Sequence, residues 1–448
     1  MDGGGLEVLP PGIRMAVARM ENFNTNKFKI QPDGADSASP GQILTYTFPE
    51  NCTLHLPSIV FSFDVATSGV SGSLYGKLPA DASSLIHSME LYASGVQIQS
   101  GTPEYNTISR CMKIVRTSRD RDGSVDGALH HGQITTDDAL DSVSILFKPY
   151  VGFIGESATK YLDTSLIGTL TCRLTLASSA VLAHKEHTSA MVLNLSAGAQ
   201  ALAAQASYQI TNAHALCETV SFGPMYTRLL QERLVSEPYL SIAFKEYHLF
   251  NQHGTTSTAH DVRFSLSASS IDAIYCTCRD TAYQTPGCRT RQYQGAVFTD
   301  ANLANFFNFK SFNSANKTNG TLRYQWQVNG VSHPQHRATV LEACHDLTMI
   351  TAQSSQSGSG NMVTSLTHYQ NGNFVIPLVL NVPSAGPGTM TGFNSRGGNS
   401  TFNISITGQV IPTADANAQT TNQISTTVIA ETTCELRISS GKSILVVN

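Results

Sequence analysis

The amino-acid sequence predicts an all-β protein made of two consecutive antiparallel jelly-roll β-sandwiches with a few short helices. Its 448 residues exceed the length at which a single hydrophobic core usually stops growing, so two domains are expected. Short runs of alternating apolar and polar residues, separated by turn residues, recur along the chain, as is typical of strands with one buried face. These runs form a first course from Phe28 to Val181 and a second from Tyr208 to Val447. The sequence therefore indicates a duplicated β-scaffold.

The first course contains one clearly amphipathic strand. Ile59, Phe61, Phe63 and Val65 occur at every second position, and this period places all four side chains on one face of a strand. Further strands of this course are predicted at Phe28–Gln31, Gln42–Phe48, Cys52–Leu56, Val143–Pro149 and Leu166–Leu176.

Two short helices and a hairpin are predicted in the middle of the first course. Asp81–Met89 is predicted as a helix, because acidic and hydroxyl side chains at its start can accept hydrogen bonds from free N–H groups. Met89–Ile98 has the pattern of a hairpin with its turn at Ala93–Gly95. Tyr105–Val115 is predicted as a second helix, and Arg116–Asp138 as a long exposed loop.

In the second course, Met225–Leu234 is the clearest helix, since three of its leucines fall on one side. Asn329-Gly330 ends a strand and is the preferred residue pair for a tight turn. Strands of this course are predicted at Tyr208–Asn212, Ala215–Phe222, Leu240–Leu249, Val262–Leu266, Ile271–Thr277 and Leu322–Val328, with a terminal hairpin of Thr432–Ile438 and Ile444–Val447.

The two courses follow a common order of strands, a short helix, an amphipathic strand, long loops and a closing strand. In this alignment the helix Asp81–Met89 corresponds to Met225–Leu234, and an Ala-rich bridge at Ala197–Ala206 separates the courses. Many short strands joined by turns are typical of sandwiches and jelly rolls. Long helices do not alternate with the strands, which argues against a parallel α/β fold. We predict an N-terminal arm at residues 1–24, a first jelly roll at 25–200 and a second jelly roll at 201–448.

The chain is polar but weakly charged. Charged residues make up 13% of the sequence, about half of the usual share, and this is expected where much of the surface contacts other subunits. The formal net charge is −4, and no basic tail or face of the kind that binds nucleic acid is evident. The basic segment Lys113–Arg121 is interrupted by acids, so we interpret it as solvated loop or subunit-contact surface. Direct, sequence-specific binding of nucleic acid is not expected.

The nine cysteines are odd in number and thinly spread, which indicates reduced thiols in an intracellular assembly compartment. Met1–Gly5 lacks the charged and apolar pattern of a secretory signal. The longest apolar stretch, Val375–Val382, is too short to cross a bilayer.

Neither the cysteines nor the histidines form a convincing metal site. Cys276 and Cys278 share one face of a strand, with Cys288 ten residues further on, but zinc sites prefer other spacings and four ligands. Apolar packing is the better interpretation of these cysteines. The pairs His130/His131, His184/His187 and His333/His336, the last in a predicted loop, are interpreted as surface histidines.

No motif of catalysis is evident. Nucleophile elbows, phosphate-binding glycine loops and zinc-helix motifs are all missing from the sequence. A pair of glycosidase carboxylates need not be close in sequence, but the single Trp argues against an aromatic sugar-binding cleft. We predict a protein that is not an enzyme, with no catalytic residues, no bound metal and no cofactor.

Several segments together resemble the major capsid proteins of double-jelly-roll DNA viruses, especially polinton-like viruses, virophages and large DNA viruses. In the first course, Ser84–Gly95 and the following Glu104–Asn106 are similar to that family's helix, strand and Tyr-Asn element. In the second course the similar segments are Tyr324–Gly330, Gly392–Gly397 and Thr433–Ile438. The resemblance covers the chain from about residue 25 to its end.

This resemblance implies a homotrimer whose six jelly rolls form a pseudo-hexagonal capsomer that tiles an icosahedral virion shell. The expected partners are neighbouring capsomers, penton proteins and minor capsid proteins, with assembly inside the host cell and an inward-facing N-terminal arm. Whether a membrane lies beneath the shell is left open. Two alternatives remain: a shell protein with a single jelly roll and a projecting domain, and a β-sandwich that binds or hydrolyses carbohydrate.

Overall fold

The computed structural model describes most of the chain outside its longer connections. The described residues are 24–68, 74–77, 82–116, 143–186, 207–222, 224–237, 239–281, 309–313, 320–354, 365–381, 390–398, 400–411, 423–439 and 443–447. Three predicted segments lie outside these residues. They are the arm except for its last residue, the Ala-rich bridge, and nearly all of the loop predicted from Arg116 onwards.

The described residues form twenty strands and six helices. The strands are β1 (Asn24–Ile30), β2 (Ile43–Thr47), β3 (Thr53–Ser68), β4 (Leu74–Lys77), β5 (Ile86–Ala93), β6 (Val96–Gln99), β7 (Val143–Phe147), β8 (Tyr161–Asp163), β9 (Leu170–Leu176), β10 (Ala183–Glu186), β11 (Ser207–Ser221), β12 (Leu240–Thr255), β13 (Ala259–Ser265), β14 (Ile271–Asp280), β15 (Arg323–Val328), β16 (Val331–Thr339), β17 (Ile376–Val379), β18 (Thr401–Thr407), β19 (Ile424–Ile438) and β20 (Ile444–Val447). The helices are α1 (Tyr105–Arg116), α2 (Phe153–Glu156), α3 (Thr164–Ile167), α4 (Pro224–Ser236), α5 (Val340–Ser354) and α6 (Leu366–Gly372).

Four sheets form two matched sandwiches. The first roll pairs the sheet β1-β11-β3-β7 with the sheet β2-β9-β5-β6, and the second roll pairs β12-β19-β14-β17 with β13-β18-β15-β16. In each roll the first strand pairs with the strand that closes the sandwich, β1 with β11 and β12 with β19, and the other strands of these four sheets take equivalent places. All pairs of these strands are antiparallel. The predicted fold of two consecutive antiparallel jelly rolls is confirmed.

Each roll has its own aromatic core between its two sheets. In the first roll the rings of Tyr46 and Phe61, from opposite sheets, lie 5.0 Å apart. In the second roll Phe264 lies between Phe250 at 4.3 Å and Phe402 at 5.3 Å. Burying one such side chain contributes about 1.5 to 3 kcal/mol, so the two cores account for the period-two pattern of both courses.

The strand β11 belongs to the first roll, not to the second. Its residues pair with β1, for example Cys217 with Phe28, and with β3, for example Ile210 with Val65. The prediction that the second course begins at Tyr208 is therefore wrong for this strand. Alternation along a sequence identifies a strand but says nothing about which strand it pairs with.

The predicted helix at Asp81–Met89 is also wrong. A single 3₁₀ turn covers Ala82–Leu85, and β5 begins at Ile86, which pairs with Leu176 of β9. All four residues of the turn are buried, so tertiary burial and sheet pairing override the helix start signal.

The internal repeat is real, but its alignment differs from the predicted one. The hairpin β5–β6 followed by α1 corresponds to the hairpin β15–β16 followed by α5. Helix α4, which was aligned with 81–89, instead connects the two rolls. The predicted helices at 105–115 and 225–234 are confirmed, whereas α5 and α6 were not predicted.

The predicted turns are found where the sequence placed them. Asn329 and Gly330 have φ angles of 50° and 81°, and the equivalent Ser94 and Gly95 have 45° and 82°. Positive φ at both central residues is the requirement of a tight hairpin turn of type I′. The terminal hairpin is also confirmed, because β20 pairs with the end of β19.

Candidate functional site: the interface between the rolls

The two rolls meet at a buried polar interface. The outer face of the sheet β12-β19-β14-β17 is covered there by α1 and α2 of the first roll. We call this cluster of side chains the inter-roll seam, and its members are Arg116, Glu156, Lys245, Tyr247, Asp272, Tyr275 and Glu431.

Helix α1 is buried because both rolls pack against it. Ten of its twelve residues are buried, although a surface helix normally exposes a polar face. On one side Tyr105 packs edge-on against Phe147 of the first core, at 6.1 Å between ring centroids. On the other side Thr107 and Arg116 contact residues of the second roll. The helix is therefore the layer that joins the two sandwiches.

Arg116 links carboxylates of both rolls. Its guanidinium forms ion pairs with Glu156 of the first roll and Glu431 of the second. The hydroxyl of Tyr247 donates to Glu156 Oε2 at 2.7 Å and accepts from Arg116 Nη1 at 3.1 Å. The backbone N–H of Gly152 donates to Glu156 Oε2 at 3.1 Å. These bonds satisfy charges that would be costly to bury alone.

Lys245 extends the cluster within the second roll. Its ammonium contacts Asp272 and lies 3.2 Å from Glu431 Oε1. Ser270 donates to Asp272 Oδ1 at 2.8 Å, and Tyr275 donates to Glu431 Oε2 at 3.3 Å. The seam thus contains two cations and three carboxylates, and Glu431 is the carboxylate that contacts both cations.

The two seam glutamates differ in their pKa because they differ in cationic neighbours. Burial raises the pKa of Glu156 above its usual range, and the single cation Arg116 offsets this only in part. Burial also acts to raise the pKa of Glu431, but Arg116 and Lys245 together outweigh it and lower that pKa. Burial acts to lower the pKa of Lys245, yet Glu431 and Asp272 raise it overall. Both Glu431 and Lys245 are therefore stabilised in their charged forms.

A second ion pair joins the rolls further along α1. Arg279 of β14 donates to Glu104 Oε2 at 2.6 Å and to Thr107 Oγ1 at 3.2 Å. Asn251 of β12 donates to Glu104 Oε1 at 3.1 Å. Arg110 adds a hydrogen bond of 2.9 Å to Asn373 Oδ1. Charge-assisted bonds of this kind fix orientation as well as adding energy.

Apolar and backbone contacts complete the interface. Phe153 of α2 packs edge-on against Phe244 of β12, at 5.2 Å between centroids. The N–H of Ala158 donates to the carbonyl of Ala243 at 2.7 Å. Thr102 donates to the carbonyl of Tyr247 at 2.7 Å. The rolls are therefore held by ion pairs, an aromatic contact and main-chain bonds, an arrangement suited to a rigid two-roll unit.

This architecture matches solved viral capsid structures over nearly its whole length. A quasi-atomic model of the PBCV-1 virus capsid superimposes with a TM-score of 0.62 and 14% identity, covering 96% of this chain and 98% of that chain. PBCV-1 VP54, fitted into a reconstruction of the virophage Sputnik, gives 0.60 and 14%, with the same coverage. The Faustovirus major capsid protein gives 0.55 and 10%, covering 93% and 91%. This chain has the double-jelly-roll fold of viral major capsid proteins.

At the level of fold, the resemblance inferred from the sequence is confirmed. No protein-family model matches the chain, and no curated protein matches it either. Sequence identities of 14% and 10% support a shared double-jelly-roll fold but do not establish a shared function, which is argued from the chain itself.

The cysteines singled out in the sequence lie in the second jelly roll. Cys276 and Cys278 of β14 are both buried. Thr426 lies 3.6 Å from Cys278 Sγ, and Gln409 donates to that sulfur at 3.5 Å. Burial raises the pKa of the Cys276 thiol well above its usual range. Among the described residues no three His, Cys, Asp or Glu side chains are placed to hold a metal ion. Cys288 lies outside these residues, so the interpretation of the three cysteines stays a prediction.

The described histidines of the predicted pairs are His184, His333 and His336, and none of them belongs to a cluster that could hold a metal ion. His130, His131 and His187 lie outside the described residues, and His184 is in β10. His333 and His336 lie in β16, so their placement in a loop was wrong. The chain passes directly from the tight turn at Asn329-Gly330 into β16. Pro334, between the two histidines, made this strand hard to predict, because proline cannot donate a hydrogen bond to a neighbouring strand. His336 lies 2.9 Å from Glu342, and both side chains are exposed.

Sequence reasoning missed the residues of the inter-roll seam. Arg116 was assigned to a loop in the basic segment 113–121, but it ends α1 and is paired with buried acids. The available signal was charge inside strands: Lys245 and Glu431 interrupt otherwise apolar or Thr-rich runs. Charged residues are rarely buried unless they are paired, so such positions indicate a partner that the sequence does not name.

None of the helices in the described ranges is both long and apolar enough to span a membrane.

Proposed function

We propose that this chain is a major capsid protein, located in the virion, that trimerises into pseudo-hexagonal capsomers tiling an icosahedral shell. The observation that carries the proposal is the match of both jelly rolls, in one continuous superposition, to capsid structures over 96% of this chain. The inter-roll seam supports it, because a capsomer built from six rolls requires the two rolls of one chain to keep a fixed orientation.

The proposed role is structural, without catalysis. The only Trp of the chain, Trp326, is buried in the core of the second roll, so it cannot stack on a sugar in an open cleft. The described titratable clusters pair acids with bases inside the protein. These features disfavour the alternative of a carbohydrate-binding or hydrolytic sandwich.

The other alternative, a single jelly roll with a projecting domain, is disfavoured by the sheet order. Both halves have the same order of strands, whereas a projecting domain would differ from the shell domain. We propose boundaries for the two rolls from strand pairing: 24–222 for the first and 239–447 for the second, with α4 between them.

The expected partners are further copies of the chain, penton proteins and minor capsid proteins, with assembly inside the host cell. We expect no sequence-specific contact with nucleic acid, in keeping with the net charge of −4. Whether a membrane underlies the shell is not part of the proposal.

Oligomeric state and electron microscopy test the proposal together. We expect the purified chain to sediment as a stable trimer and to appear in negative stain as pseudo-hexagonal particles. A chain that stays monomeric at every concentration and forms no capsomer would overturn the proposed function. Hydrolysis of a glycan that is lost on replacing one acid would favour the carbohydrate-active alternative.

A further inference from the structure

Equivalent surfaces of the two rolls differ in what covers them. The outer face of the second roll's sheet β12-β19-β14-β17 is covered by α1 of the first roll. The equivalent face of the first roll is the outer face of β1-β11-β3-β7. On that face Leu146 and Leu216 are 47% and 39% exposed, so no described part of the chain covers them. Val60, next to Leu216 in the register, is partly exposed as well.

The equivalent helices differ in the same way. Helix α1 is buried between the rolls, whereas its counterpart α5 exposes a stripe of side chains. The stripe consists of Leu341, His345 and Met349, and the exposed fractions of the leucine and the methionine are 48% and 51%. These positions are four residues apart, so they lie on one side of the helix.

Within the chain, the helix of the first roll covers the sheet of the second. The two uncovered surfaces are the equivalent helix of the second roll and the equivalent sheet of the first roll. We propose that the exposed stripe of α5 in one copy packs against the outer face of β1-β11-β3-β7 in a second copy of this chain. This inference rests on the proposed capsomer and names the surfaces that would hold it together.

The symmetry of such a contact fits a closed ring. A helix of one copy meeting a sheet of the next is a head-to-tail contact, which generates a ring when the rotation closes. Because both contacts use equivalent elements of equivalent rolls, three copies would repeat one helix-on-sheet arrangement six times. The contact within the chain thus serves as the template for the contact between chains.

Charge supports the same pairing of surfaces. Lys29 lies opposite Leu216 and Lys27 opposite Glu218 in the register, so both lysines lie on the outer face of the sheet. Next to the α5 stripe, Asp346 provides an exposed acid on the helix, whereas Glu342 is already paired with His336 and with the N–H of Thr339. The acids on the sheet face have partners there already: Glu218 with His55, and Asp64 with Ser144 and Asn212. Two lysines on the sheet face and Asp346 on the helix have opposite charges, which favours the pairing of these two surfaces.

Charge substitution tests the contact. We expect Leu216→Arg and Met349→Asp each to raise the concentration at which the trimer dissociates by about tenfold or more, because each places a charge in an apolar contact. The double variant is expected to recover at least part of that loss, since the two new charges would face each other. Ile43→Arg is the matched control, because Ile43 is 60% exposed on the other sheet of the first roll. Mass photometry across a dilution series measures all four proteins.

The outcomes separate this inference from the proposed function. A wild-type chain that never trimerises overturns the capsomer itself. A wild-type trimer whose stability is unchanged in Leu216→Arg and Met349→Asp, with native circular dichroism, overturns the inference and leaves the capsomer standing. Two weakened single variants with no recovery in the double variant overturn the pairing of these surfaces. If a charged variant does not fold, Leu216→Ser and Met349→Ser carry the same comparison.

Discussion

The strands β11 and β19 occupy equivalent places in the two rolls but differ in the burial of their outer surfaces. Along β11, buried residues alternate with exposed ones, as in a sheet with one wet face. Along β19, the first eleven residues are all buried. The inward-facing residues of both strands fill a core, but the outward-facing Thr427, Ile429 and Glu431 of β19 face the other roll. The same strand order therefore does not determine whether the outer face of a sheet is buried. The element that packs against that face determines it.

This difference shows how a duplicated fold becomes asymmetric. A repeat needs only its inner faces to keep its fold, so its outer faces can specialise. In the second roll the outer face carries Glu431, which pairs with Arg116 of the first roll. In the first roll it carries exposed aliphatic residues, two lysines and two acids that have partners on the same face. Replacing a buried ion cluster by apolar residues is often neutral for stability, which suggests that orientation is the main contribution of the seam.

The largest expected effect comes from breaking the covered face at Arg116. Arg116→Ala would leave Glu156 and Glu431 buried without this cation, and such a loss costs about 3 to 5 kcal/mol. We expect a clear fall in the urea midpoint of unfolding. Arg228→Ala is the matched control, because the pair of Arg228 and Glu232 is 79% and 58% exposed and is expected to contribute less than about 1 kcal/mol. Equal losses in both variants would mean that the seam does not differ from a surface pair.

The pH dependence of the seam sharpens the comparison next. The pKa of Glu431 is lowered in the folded protein, so its contribution to stability is present above its unfolded pKa and is lost as the pH falls through the folded value. The pKa of Glu156 is raised, so its contribution is present below its unfolded pKa and is lost as the pH rises through the folded value.

Replacing each glutamate by glutamine separates the contributions of Glu431 and Glu156 to the pH dependence of stability. At neutral pH we expect Glu431→Gln to lower the melting temperature more than Glu156→Gln does. We also expect Glu431→Gln to flatten the acid side of the stability profile. Thermal melts from about pH 3 to about pH 8 measure both effects. The reverse order of the two variants at neutral pH would contradict the assignment of Glu431 as the doubly paired carboxylate.

A smaller effect is expected from the hydroxyl of Tyr247. Tyr247→Phe removes the donor to Glu156 while keeping the ring, and a hydrogen bond to a charged group contributes about 1.5 to 3 kcal/mol. Tyr92→Phe is the control, since Tyr92 donates to Glu90 on the outer, accessible face of its sheet. We expect a lower urea midpoint of unfolding for Tyr247→Phe only. If both variants have the same midpoint, the hydroxyl of Tyr247 does not contribute to the stability of the seam.

The smallest effect concerns a feature that the two rolls share. Gly95 and Gly330 occupy equivalent turns with φ of 82° and 81°, and a Cβ at either would meet no atom within 4 Å. We expect Gly95→Ala and Gly330→Ala to cost about 1 to 2 kcal/mol each, from backbone conformation alone. Similar shifts in the melting temperature would show that the hairpins remain equivalent, whereas a large difference would show that one turn bears a further contact.

The strands and turns were predictable because their cause is local. Ile59, Phe61, Phe63 and Val65 showed a buried face by their spacing alone, and Asn329-Gly330 showed its turn by its tolerance of positive φ. The helix expected at 81–89 was wrong because pairing with β9 decided that segment. Helix α5 was missed because apolar residues lie both on its buried side, at Val340, Ala343 and Leu347, and on its exposed side, at Leu341 and Met349, so that the helical period is hard to recognise.

The seam could not be predicted in the same way. Arg116, Lys245 and Glu431 are far apart in the sequence, and each alone looks like an ordinary surface charge or an oddity within a strand. A buried charge is tolerated only beside its partner, and no local pattern shows which partner folding will supply.

The sequence by itself determined that this chain forms two antiparallel sandwiches, because alternation and turn residues act over a few neighbouring positions. Only the tertiary structure decided that β11 closes the first roll, that α5 corresponds to α1, and that one outer sheet face is covered while its equivalent is open. Those features depend on contacts between distant segments, and such contacts are set by packing and charge pairing in three dimensions.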